Sequence, residues 1–162
     1  MAKVFGDHGE LLEALPIENG GTGATSLSGA KTALGIASAL SLKTLWINSS
    51  PASDFATQTI SLSENSMNYN FIAIEFLSGT TSNEVRDVQI FKPVSSPIGY
   101  HASTMSNATS SSIEITRRGF LMNAKTIAFQ DAKSTHVGAD SAYQSTANAY
   151  MKPVAVYGVK VG

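Results

Sequence analysis

A chain of 162 residues with 43% hydrophobic residues is long enough to bury a core, which argues against intrinsic disorder. Only 14% of its residues are charged, against about 25% in an average soluble domain, and Ser and Thr fill the difference at roughly a fifth of the chain. A net charge of −1 leaves no cationic surplus for a nucleic-acid backbone, no apolar run approaches the roughly 18–20 residues of a spanning helix, and the lack of cysteine excludes disulfides and thiolate zinc sites.

The first forty residues differ from the rest. Residues 10–14 (ELLEA) suit one helical turn, stopped by Pro16, and the N-terminus lacks the apolar run of a secretory signal. Gly20, Gly21 and Gly23 then form an elbow where positive φ costs little. Thr25 or Ser26 is placed to N-cap a short helix, Leu27, Ala30, Ala33 and Leu34 share one of its faces, and Gly35 suits the terminating position. A helix of about ten residues is marginal alone. Its thin, small-residue stripe must pack on the following domain or on other copies of itself.

From Lys43 the pattern changes to short strands with turn punctuation. Strands are expected over 44–48 (TLWIN), 57–62 (TQTISL), 69–77 (YNFIAIEFL, apolar on both faces) and 84–92 (EVRDVQIFK). Residues 95–110 read as a long polar loop. A hairpin follows over 112–123 and 125–130, turning at Asn123–Ala124. Residues 131–151 read as a second polar loop, and PVAVYGVKV (153–161) as a final strand. The expected fold is all-β: an antiparallel β-sandwich, jelly-roll-like, behind a short N-terminal helical or extended segment. The expected domains are 1–42 and 43–162.

The glycine cluster does not suit a phosphate cradle, because no Gly-Lys-Ser/Thr occurs and no apolar strand precedes it. No GxSxG elbow is present, so no catalytic nucleophile is assigned. His136 and Asp140 are four apart around Gly138, in a stretch without periodicity, and His136 reads as an exposed histidine; no metal site is expected. The carboxylates Glu75, Asp87, Glu114 and Asp131 are the candidates for a glycosidase pair. Glu75 lies in an apolar strand and is expected to find a salt-bridge partner among Arg86, Arg117 and Arg118. Tyr100 and His101 fall in one expected loop, and Asp140, Tyr143 and Gln144 in the other. Tyrosine offers an apolar face with a hydroxyl tip, a combination suited to sugar rings, so Tyr100, His101, Asp140 and Tyr143 are the candidate saccharide-binding residues. Trp46 reads as core or subunit interface.

The stretch ENGGTGAT (18–25) followed by GAKTALGI (29–36) resembles a segment of bacteriophage tail fibres, variants of "ENGGTGATT-x-x-GARTNLGL" that precede a receptor-binding domain. Lys31 stands for the usual Arg and Ala33 for the usual Asn. The remainder resembles, more loosely, head domains of phage and prophage tail proteins. The resemblance implies a homotrimeric fibre tip or receptor-binding protein, located on the virion and adhering to a bacterial surface saccharide without a cofactor. Residues 1–42 would anchor to tail or baseplate proteins, and Leu27, Ala30, Leu34 and Ile36 would line the trimer seam. Nucleic acid and membrane insertion are not expected. The alternatives are a structural capsid head fibre or decoration protein, and a polysaccharide-degrading tail enzyme.

Overall fold

The computed structural model of the chain describes residues 23–24, 26–35, 40–78, 85–108, 112–138 and 142–161, and, within these, not the side chains of 27–28, 106–108, 112 and 142–143. The chain divides into two compact units, Met1–Ser41 with Val161–Gly162, and Leu42–Lys160.

In the first unit the helix α1 spans Leu27–Ala33. The Ser26 Oγ accepts a bond from the Gly29 N–H at 3.1 Å, satisfying an amide that the first helical turn leaves unpaired. Gly35 terminates the helix at φ +63°, and Gly23 in the elbow has φ +69°, both in the left-handed region open to glycine. Leu34 is 61% exposed and Ala30 half-buried. Gly20, Gly21 and Ile36 lie outside the described residues, as does the side chain of Leu27.

The second unit is an all-β sandwich. Its strands are β1 (Ser41–Ile47), β2 (Gln58–Ser61), β3 (Phe71–Ser78), β4 (Val85–Phe91), β5 (Ile98–Ala108), β6 (Ser112–Met122), β7 (Thr126–Gly138), β8 (Ala142–Thr146) and β9 (Lys152–Lys160). One sheet has the order β1-β9-β3-β4. The other has the order β2-β7-β6-β5, with β8 also on β7. Strand β2 pairs with residues 126–129 of β7 and β8 with residues 133–137. Both therefore share the β7 edge that β6 leaves free, with a seam between them at residues 130–132.

Alternation explains the core. Ile72, Ile74 and Phe76 of β3 face Phe120 and Met122 of β6 and Ile127 and Phe129 of β7 between the sheets. The rings of Phe91 and Phe120 meet edge-on at 5.0 Å, and those of Phe76 and Phe129 at 6.5 Å. Trp46 packs edge-on against Phe55 at the margin of this core, as its sequence position suggested. Pro153 enters β9 where the pairing with β3 shifts register, a place where its missing N–H breaks no regular ladder.

Two sequence expectations are corrected here. The stretch 95–110 is largely the strand β5, and 131–151 contains most of β7 and all of β8. In these stretches inward positions carry Ala102, Thr104, Ala132 and Ser134 rather than large apolar groups. The hydropathy alternation that marks a strand is therefore nearly absent.

Candidate functional site

The solvent face of the five-stranded sheet carries an open hollow of about 410 Å³, lined by Thr57, His101, Arg117, Gly119, Gln130, Asp131, Lys133 and Gln144. Its floor follows from register. Gly119 of β6 lies opposite His101 of β5, and Arg117 lies between Ser103 of β5 and Lys133 of β7. Between Arg118 and Phe120 the pairing with β7 slips, so that β7 carries one extra residue across from Gly119. The Gln130 side chain fills the space above that glycine: a Cβ there would lie 2.5 Å from Gln130 Oε1 and 3.3 Å from His101 Cε1.

The bulge is held from inside the sandwich. Arg118, adjacent to Arg117 but on the opposite face, is 0% exposed. Its Nε donates to Met151 O at 2.7 Å, one Nη to Phe55 O at 2.7 Å and the other to Gln130 O. Its guanidinium also sits 5.3 Å from the Phe55 ring centre. Burial pulls the Arg118 pKa down to about 10, partly offset by Asp131, so the side chain remains cationic at neutral pH. Asn148 closes the seam between β2 and β8. Its Oδ1 accepts from the Ala132 N–H at 2.9 Å and its Nδ2 donates to Asp131 Oδ1 at 2.9 Å. The Thr57 N–H donates to the same carboxylate oxygen at 3.1 Å. The bonds from Asn148 and Thr57 hold the Asp131 carboxyl below the ordinary range, so it is an anion at neutral pH.

Of the four candidate binding residues, the structure brings His101 to this hollow. Tyr100 points the other way. Its ring stacks on Phe120 at 5.7 Å, and its hydroxyl donates to Lys92 O at 2.8 Å, so it ties β5 to the core. The Tyr143 backbone pairs with His136 in β8 and β7; its side chain and Asp140 lie outside the described residues. Arg117, Gly119, Gln130 and Lys133 were not selected from the sequence as binding residues. The signal available was the pair Arg117–Arg118, which in any strand must send one guanidinium in and the other out.

Glu75 lies outside this hollow, on the outer face of the other sheet. Its partner is Arg86, one of the three arginines expected, with Nη1 to Oε1 at 2.6 Å; Tyr157 OH donates to Oε2 at 3.2 Å. Ser134 Oγ donates to Glu114, and Gln89 Nε2 donates to Asp87 at 2.6 Å. Asp131 is the single carboxylate among the described residues that line the hollow, and no three His, Cys, Asp or Glu side chains gather among the described residues to hold a metal. No protein-family model matches this chain, and no curated protein matches it in sequence.

Proposed function

We propose that the protein is a bacteriophage fibre-tip adhesin, a homotrimer whose β-sandwich heads bind a bacterial surface saccharide. The observation that carries this reading is the hollow on the five-stranded sheet. Its volume of about 410 Å³ falls within the range of about 300–1,000 Å³ usual for small-ligand sites. Amide, hydroxyl, carboxylate and cationic groups ring it, and these can exchange hydrogen bonds with sugar hydroxyls. Its walls stand on paired strands, so little ordering accompanies binding. The segment 18–36, similar to phage fibre sequences, supplies the context. The seven-residue α1 is too short to persist alone and leaves Leu34 exposed, which suits burial against two further copies.

The mechanism is multivalent attachment. One open polar site binds weakly, and three sites on one tip gain avidity of about 10²–10⁴ where all engage together. Residues 1–42 anchor the tip to the tail or baseplate. No cofactor takes part, and Asp131, the single carboxylate among the described residues lining the hollow, serves to hold the seam.

A second reading, a capsid head fibre or decoration protein, draws on the outer face of β4. Val88 and Ile90 there are 57% and 65% exposed, a surface suited to protein neighbours rather than sugars. Labelled full-length protein applied to a panel of intact bacteria and to a glycan array separates the two. Adhesion predicts retention on a subset of strains, competed by their purified polysaccharide. Retention on no strain and no glycan, together with binding to phage capsids, would replace the adhesin by the decoration protein.

A further inference from the structure

We infer that the hollow recognises an anionic group of the saccharide, a carboxylate or phosphate seated between Arg117 and Lys133; this rests on the adhesin reading. Arg117 and Lys133 are direct cross-strand partners on the solvent face. Like charges so placed destabilise a sheet. In a chain with only 14% charged residues, their juxtaposition is not a by-product of a crowded ionic surface. Arg117 makes no hydrogen bond or ion pair with any described residue, and its planar fork is free to grip two oxygens. Lys133 Nζ donates to Thr146 Oγ1 at 2.7 Å, which leaves two of its three donors.

The remaining lining fits the same ligand. Asp131 is the counter-charge, and its Oδ1 is occupied by Thr57 and Asn148. Two basic side chains against one carboxylate leave the described lining of the hollow net positive. The His101 ring edges the same floor, beside Gly119, and adds a hydrogen-bonding group. Gln144 Nε2 donates to Thr135 Oγ1 at 3.2 Å, so its Oε1 is left to accept from a sugar hydroxyl. The anion supplies the charge that the Arg117–Lys133 pair lacks, and the amides read the ring beside it.

The test is a titration of the full chain with four probes of equal length: an oligogalacturonate, a glycerol-phosphate oligomer, a neutral oligogalactoside and a DNA oligonucleotide. The carboxylate or the phosphate probe, or both, bind at least about tenfold more tightly than the neutral one, and the two arms identify which anion is read. Arg117→Gln and Lys133→Gln each weaken that binding by about tenfold, whereas Lys92→Gln, an exposed cation elsewhere, leaves it unchanged. Arg117→Lys keeps the charge but loses the fork, so it also weakens binding and covers the case in which Arg117→Gln misfolds. Equal binding of the neutral probe, with both Gln variants unaffected, overturns the anionic assignment and leaves adhesion standing. DNA binding as tight as the saccharides overturns it in favour of featureless polyanion attraction. Failure to retain any saccharide or any intact cell removes both this inference and the adhesin reading.

Discussion

Replacing Arg118 by Met tests how the hollow is built. A buried ion pair can often be exchanged for apolar residues because both charges leave together. Arg118 differs, since its three short bonds go to the backbone carbonyls of Phe55, Gln130 and Met151, which no substitution removes, with longer contacts to Tyr150 O and Asn148 Oδ1. Methionine fills much of the volume but donates nothing. Each orphaned carbonyl costs about 1–3 kcal/mol, giving a loss of about 3–9 kcal/mol, a large share of the about 5–15 kcal/mol by which domains are stable. At about 4 °C per kcal/mol for a domain of this size, Tm falls by about 12–36 °C. Calorimetry or far-UV circular dichroism melts of wild type and Arg118→Met at one concentration measure this. A fall under about 4 °C would mean that water or another donor satisfies the carbonyls, and that the bulge does not depend on the guanidinium.

Gly158→Ala places a Cβ about 2.5 Å from three atoms of the Tyr69 ring. That ring is buried and tied to Glu64 through its hydroxyl at 2.6 Å, so the clash is not relieved by a swinging side-chain end. The expected loss is about 1–3 kcal/mol in denaturant unfolding; an unchanged midpoint refutes the packing argument. Burial, with the Glu64 bond second, raises the Tyr69 pKa to about 12. Its stabilising bond is thus complete below the ordinary tyrosine value of 10.0 and lost as pH climbs through about 12. Tyrosine absorbance should show a late-ionising group that Tyr69→Phe removes and that Glu64→Gln returns only part of the way, because burial is the larger cause. A wild-type titration finished near pH 10 would contradict this. Glu75→Gln removes an ion pair whose Arg86 end is 61% exposed. It should cost less than about 1 kcal/mol and leave cell binding intact; lost binding would move the functional site to the other sheet.

The sandwich was legible where side chains alternate strongly. The apolar run of β3, the Asn123–Ala124 hairpin turn and the terminal strand all appear near their expected positions. Ser26 and Gly35 were readable as helix boundaries, because capping needs a side-chain oxygen and a tolerated positive φ. The site was less legible. Its strands β5 and β7 bury Ala102, Ala132 and Ser134 where large apolar groups would mark a strand, and β8 buries no described side chain, so these stretches scan as polar loops. The loop reading made Tyr100 and His101 equivalent neighbours; strand geometry sends one inward and the other out. The hollow itself comes from a one-residue slip opposite Gly119. Such a slip is set by long-range pairing, which no local pattern records.

The proposed adhesion rests on assembly, because avidity needs several sites on one tip and the seven-residue α1, with Leu34 exposed beside it, is proposed to pack on further copies. Light scattering coupled to size exclusion, on the full chain at micromolar concentration, should give three times the chain mass of 17.0 kDa. A folded particle of 17.0 kDa at that concentration would contradict it.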